Sequence, residues 1–284
     1  MALPFEEKIK FDQGSDGTSA GYKAAGSNAV DANGEKDTVE FLNIAKDDVQ
    51  AWPSHVHRTY PAPIERGMPT IIQPFVQKSL EVNQTILDIF NERLGLPKGL
   101  LLQQHPLDEH SGCEARIIKN PPMAHDVQKR AIGAHTDFGS LSFLHNRLGG
   151  LQVLVPGAET WQYVKPIPNH AICNVGDALS IFSGGILRSN MHRVLPPPGT
   201  QSAYERWSIV FFTRPGNSKV LRAFTESSSA IAKAVSANPG KDFETGSTAK
   251  EWFARRIKYQ KLDNRKGPET WMSSRGTEAD PAAA

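Results

Sequence analysis

Between Glu114 and Thr213 the chain breaks into short apolar runs separated by Gly or Pro, and this spacing restricts the fold more than any other feature. The runs are Ala115–Ile118, Leu141–Leu144, Leu151–Val155, Trp161–Val164, Ala171–Cys173, Leu179–Phe182 and Trp207–Thr213. Recurrence at roughly ten-residue intervals with Gly or Pro punctuation points to strands of an all-β sandwich or barrel. Such folds enclose an interior where inward side chains can meet a ligand. The expected class is therefore mainly β with flanking helices.

Outside this stretch the pattern changes. Val76, Leu80, Asn83, Leu87, Phe90 and Leu94 form one stripe at steps of three and four, so residues 73–94 read as a helix ended by Gly95 and Pro97. Its apolar stripe is ordinary packing against a sheet. Residues 2–12 read as a short helix, 13–38 as a Gly- and Ser-rich loop, and Glu40–Ile44 as a strand. After Pro215 the β pattern stops, and Thr248 with Glu251 forms a capping box for a helix over 248–260. Four segments are thus expected: a helical and loop part over 1–112, a β core over 113–216, a helical segment over 217–272 and a disordered polar tail over 273–284.

Charge nearly balances, at net +2 with a pI of about 8.5, so neither a nucleic-acid surface nor a membrane surface is indicated. No apolar run approaches the roughly 20 residues needed to span a bilayer. The opening Met1–Lys8 lacks the basic-then-apolar order of a secretory signal. Cys113 and Cys173 are the only cysteines, as in a reduced compartment. A monomer in the cytoplasm is the expectation.

The chemistry concentrates in three places. In an extended segment alternate residues share a side, so His135 and Asp137 in Ala131-Ile-Gly-Ala-His135-Thr-Asp137 can present an imidazole and a carboxylate together. A later histidine on a neighbouring strand, His192, would complete a two-His-one-carboxylate set, which suits non-heme Fe(II) with open positions. Arg206 and Ser208 repeat the same spacing inside an apolar strand. A guanidinium there is costly unless it holds a carboxylate, and its fork suits that task. Taken singly, His135 could be a core histidine, Asp137 a turn residue and Arg206 half of an ion pair. His55-Val-His57 sits among prolines and reads as a surface pair. His105, His110, His125, His145 and His170 stand in no comparable frame, and Asp177 reads as a turn former.

Together, His135-x-Asp137, His192 and Arg206-x-Ser208 resemble the iron triad and co-substrate clamp of the Fe(II)/2-oxoglutarate-dependent dioxygenases. Gly149-Gly-Leu-Gln-Val153, Pro166-Ile-Pro168, Asn174-Val-Gly-Asp177 and His192-Arg-Val194 are similar to the isopenicillin N synthase-like superfamily in particular. The resemblance runs from about residue 2 to about residue 216 and implies a distorted double-stranded β-helix, a cupin-like jelly roll. It implies His135, Asp137 and His192 as catalytic metal ligands for Fe(II). The far carboxylate of 2-oxoglutarate would lie on Arg206 and Ser208, with O2 as oxidant and ascorbate as a supportive reductant. The implied reaction releases succinate and CO2 and hydroxylates, desaturates or cyclises a small organic molecule of the secondary-metabolite kind. Asp137, a carboxylate where a halogenase site would carry Gly or Ala, fits an oxygenase. Asn120 stands where relatives often carry a co-substrate Tyr, and Gly21-Tyr22 resembles the family's loop beside the substrate mouth, which implies a substrate contact for Tyr22.

Two other readings remain at this level: an Fe(II) oxidase of the same fold that does not use 2-oxoglutarate, and a non-catalytic remnant that only binds. The second arises because Met1 stands where the family's opening strand, helix and strand have already passed. A chain that is N-terminally short in this way is expected to leave a sheet edge with unpaired backbone groups, with reduced stability and impaired catalysis.

Overall fold

The computed structural model describes residues 1–123, 131–157 and 160–277. Twelve strands among them follow in chain order: β1 (Gly21–Lys23), β2 (Glu40–Ala45), β3 (Glu114–Asn120), β4 (Ile132–His135), β5 (Leu141–Asn146), β6 (Leu151–Leu154), β7 (Trp161–Tyr163), β8 (Ile172–Val175), β9 (His192–Val194), β10 (Arg206–Thr213), β11 (Val220–Arg222) and β12 (Glu244–Thr248). A six-stranded sheet runs β1-β2-β3-β10-β5-β8, and a four-stranded sheet runs β4-β9-β6-β7. All neighbours in both sheets are antiparallel. The two sheets face each other as a jelly roll, within the sandwich-or-barrel class that the strand spacing predicts and of the kind that the resemblance implies.

Strand β10 shows how the alternation is used. Arg206, Ser208 and Val210 point inward and are buried, while Trp207 and Ile209 between them stay exposed. Further along, Phe211 is fully buried on the opposite, outer face. There the helix Gln73–Arg93 lays Val76 against the sheet with Leu42, Ile44 and Ala115. On the inner face Phe41, Ile118 and Val210 meet Ala131, Leu151 and Val194 of the smaller sheet. The helix therefore backs the sheet and leaves the interior to the site.

Several expectations are corrected. Leu179–Phe182 is not a strand; it belongs to the helix Asp177–Phe182, in which every residue is buried. A short apolar run carries no periodicity to separate the two states. The β pattern also resumes after Pro215, where β11 pairs with β12. The large sheet extends upstream of residue 113 through β1 and β2. The stretch 273–277 is held rather than disordered: Ser274 is buried, Arg275 donates to the Ala134 carbonyl at 2.8 Å and Thr277 to Asp177 Oδ1 at 2.6 Å. Residues 278–284, the rest of that tail, and His125 lie outside the described residues. At the edge beyond β2, β1 is only three residues long, and the Gln13 N–H donates to its Tyr22 carbonyl at 2.9 Å. No helix among the described residues is long and apolar enough to cross a membrane.

Candidate functional site

The smaller sheet places the two histidines. His135 ends β4 and is the register partner of His192, which opens β9, so their rings meet with centroids 4.3 Å apart. Asp137 follows two residues on, and its Oδ1 lies 3.8 Å from Nε2 of each histidine. One atom from each of the three residues falls within 4.8 Å of the others. That spacing brings three donors to one side of a common centre.

Hydrogen bonds behind the three residues fix which atoms face that centre. His135 Nδ1 lies 2.8 Å from the Gly133 carbonyl, and His192 Nδ1 3.2 Å from the Asn190 carbonyl. A carbonyl only accepts, so each Nδ1 carries the proton and each Nε2 offers its lone pair. Asp137 Oδ2 accepts from Ser142 Oγ and Asn174 Nδ2, both at 2.6 Å, which leaves Oδ1 for the centre. Burial, followed by the neighbouring His192, pushes the His135 pKa down to about 3, so the ring is neutral at pH 7. Burial alone would raise the Asp137 carboxyl, but the His192 and His135 rings and the Asn174 and Ser142 bonds outweigh it and hold it at about 2. Two imidazoles and one carboxylate are the donor set of a non-heme Fe(II) facial site.

A cavity of about 480 Å³ connects this cluster to Arg206 and Ser208. Arg206 is 2% exposed. Its Nε donates to the Gly149 carbonyl at 2.7 Å and its Nη1 to Ser208 Oγ at 2.8 Å. Nη2 is buried, and among the described residues it has no hydrogen-bond partner and no acid pairs with the group. Burial lowers the Arg206 pKa to about 10, which still leaves the guanidinium charged. A buried cation with a spare N–H is a seat for a carboxylate.

The 2OG-Fe(II) oxygenase superfamily profile matches residues 103–215. The 2-oxoglutarate-dependent dioxygenase iboH of Amanita muscaria is 32% identical over 157 residues, covering 55% of this chain and 76% of that protein. The chain belongs to the 2OG-Fe(II) oxygenase superfamily. A second oxygenase relative, the 2-oxoglutarate-dependent dioxygenase FG08081 of Gibberella zeae, is 32% identical over 217 residues, 76% of this chain. The chain spans 62% of that relative's length. A full-length Neurospora crassa protein, solved in complex with alpha-KG and 5-formyluracil, superposes with a TM-score of 0.70 at 21% identity, covering 90% of this chain and 77% of that one. The 2-oxoglutarate binary complex of the Arabidopsis thaliana dioxygenase for auxin oxidation 1 gives a TM-score of 0.57 at 22% identity, covering 79% and 77%. These two likenesses speak for the oxygenase fold alone. Fe(II) and 2-oxoglutarate are the metal and co-substrate of the superfamily. The His135, Asp137 and His192 cluster and the unpartnered Arg206 Nη2 fit both.

The remaining sequence candidates divide. Asn120 is buried opposite Arg206 in the β3–β10 register, with Oδ1 unpartnered among the described residues. Tyr22 does not face the cavity. It packs on the outer face of the large sheet with Leu42 and Ile44, and its hydroxyl donates to Glu40 Oε2 at 2.7 Å. On β1 it faces away from the iron-type cluster, which corrects its expected substrate contact. His55 and His57 are taken by Glu65 and Asp47, at 3.2 and 3.0 Å. Asp177 is more than a turn former: it is fully buried, ion-paired with Arg256, and accepts from Thr136, the residue between two candidate ligands. Ser142 and Asn174 went unassigned in the sequence. Asn174 lies in the quoted Asn-Val-Gly-Asp run, but its reach to Asp137 depends on the β5–β8 pairing.

Proposed function

We propose that this chain is an Fe(II)- and 2-oxoglutarate-dependent oxygenase that hydroxylates, desaturates or cyclises a small organic molecule, with release of succinate and CO2. One observation carries the reading: a two-His-one-carboxylate cluster and an unpartnered buried guanidinium share a single cavity. His135, Asp137 and His192 would hold the metal, and Arg206 with Ser208 the far carboxylate of the co-substrate, with Asn120 beside them. When bound, iron and 2-oxoglutarate together supply the activation of O2. The protein's part is to aim Nε2 of both histidines at the metal through their Nδ1 bonds, orient Asp137 through Ser142 and Asn174, and shield the reacting centre from water. A monomer in the cytosol, acting in secondary metabolism with ascorbate as reductant, completes the proposal. Its support is compositional: near-balanced charge and two cysteines with no disulfide.

The test is an anaerobic titration of the Fe(II)-loaded protein with 2-oxoglutarate, followed by exposure to air. A visible charge-transfer absorption that saturates with 2-oxoglutarate, then succinate release, is expected. Iron uptake without any 2-oxoglutarate-dependent change would turn the reading toward an oxidase that does not use this co-substrate.

A further inference from the structure

A second guanidinium enters the same cavity, and 2-oxoglutarate has no group left for it. Arg116 stands on the inner face of β3, opposite Val210 of β10 and Asn43 of β2. Its Nε donates to Asn43 Oδ1 at 2.7 Å and its Nη2 to Glu114 Oε1 at 2.9 Å. The guanidinium carbon lies 4.3 Å from the Phe41 ring centroid and 4.8 Å from that of Phe212. Nη1 has no hydrogen-bond partner among the described residues, and the side chain lines the cavity.

Glu114 does not neutralise this group alone. The same Oε1 also receives Arg214 Nη2 at 3.3 Å, so two guanidinium groups share one carboxylate and leave one positive charge over. The other acids of the cavity have roles of their own, Asp37 in its pair with Lys23, and Asp137 with one oxygen on Ser142 and Asn174 and the other at the metal centre. A charge held away from bulk water without a counter-ion is costly, and a fork with a free N–H edge is shaped for a carboxylate. Along β10 the register partner of Arg116 is Val210, four positions from Arg206. At about 3.3 Å per residue that is roughly 13 Å along the strand. A five-carbon diacid that engages a metal through one end and Arg206 through the other has no third carboxylate to offer. The anion for Arg116 must come from another molecule.

We propose that Arg116 binds the carboxylate of the substrate, so that this oxygenase acts on small organic acids whose apolar part rests against Phe41 and Phe212. The assignment rests on the oxygenase reading above and narrows its substrate class. Asn43 and Glu114 hold the guanidinium in place, and the aromatic rings supply both cation–π support and the apolar wall.

The experiment uses the full chain loaded with Mn(II), a redox-inert stand-in for the metal, and with 2-oxoglutarate. Calorimetric titration compares aryl acids from benzoate to 4-phenylbutanoate with their primary amides. At least one acid is expected to bind roughly tenfold or more tighter than its amide. Arg116→Gln should erase that preference while 2-oxoglutarate affinity stays within about twofold, and Arg116→Lys should retain only part of it. If Arg116→Gln does not fold, the wild-type acid-to-amide ratio and Arg116→Lys decide. Equal binding of acid and amide, absence of acid binding, or a preference that survives Arg116→Gln would overturn the proposal. So would displacement of the acid by inorganic phosphate at equal concentration, which would mark a simple anion site. Failure of the oxygenase reading shows separately, as loss of 2-oxoglutarate binding in a protein whose acid preference is still measurable with Mn(II) alone.

Discussion

The metal cluster and the Arg206 seat lie in one cavity but are prepared in opposite ways. At the cluster every rear-facing atom is engaged: two Nδ1 groups on carbonyls, and Asp137 Oδ2 on Ser142 and Asn174. What remains is three lone pairs aimed at one point. At Arg206 two of three nitrogens are tied down and the third is left bare. The first site is made specific by completing hydrogen bonds, the second by withholding one. A donor set whose rear atoms are all hydrogen-bonded keeps its geometry without the metal, whereas a desolvated cation with a bare N–H calls for a counter-ion. The contrast assigns different consequences to substitutions at each place.

The largest effect is expected from removing any one of the three donors. His135→Ala, Asp137→Ala or His192→Ala should reduce succinate release to background and abolish stoichiometric Fe(II) binding by calorimetry. Near-normal turnover in any one variant would remove that residue from the set. Arg206→Ala should weaken 2-oxoglutarate by about 1.5–3 kcal/mol, or ten- to a hundredfold and slightly beyond. Metal affinity should hardly move, and if it falls in step the two sites are not prepared separately. Asn174→Ala keeps every donor and removes one bond behind Asp137, so metal affinity should drop by about tenfold, the low end for such supporting groups. Unchanged metal binding in that variant would show that Ser142 alone suffices to orient the carboxylate.

The smallest effect is a pH dependence of the metal-free protein. His135 is depressed from 6.5 to about 3, so below pH 6.5 the unfolded chain takes up a proton that the folded one refuses. Its contribution is complete above the unfolded value and is lost as pH falls toward about 3. Between pH 6.5 and 5.5 this group costs about 1 kcal/mol of stability. Asp137, held at about 2, adds a similar loss only between about pH 4 and 2. Denaturant midpoints measured across pH 7 to 5 check the first window. His135→Gln should flatten the slope there.

What the sequence discloses follows the range of the interaction that encodes it. His135-x-Asp137 and Arg206-x-Ser208 are legible because strand alternation sets their common side within three residues. The helix Gln73–Arg93 and the Thr248–Glu251 box are likewise local patterns. The Asp177–Arg256 pair is not legible, since its partners stand 79 positions apart. Nor is the face on which Tyr22 lies, because a three-residue strand has too few alternations to reveal its buried side. Arg116 shows the same limit: its inward direction comes from the pairing of β3 with β10, and its spare charge from Arg214, a residue 98 positions away (214 − 116).

The pair Asp177–Arg256 has a consequence for how the metal site and the C-terminal residues report on each other. Arg256 also donates to the Ser274 carbonyl at 3.1 Å and to the Thr136 carbonyl at 3.2 Å, while Thr277 bonds to Asp177. Thr136 stands between His135 and Asp137, so one buried salt bridge joins the backbone of the metal loop to that of residues 274–277. Reciprocity then applies: whatever free energy the docked segment contributes to metal affinity, metal must return to the docking. Amide hydrogen exchange at residues 275–277 should therefore slow when Fe(II) or Mn(II) is added, although neither ion touches those residues. The segment acts as a gauge of occupancy, readable at a distance from the centre itself.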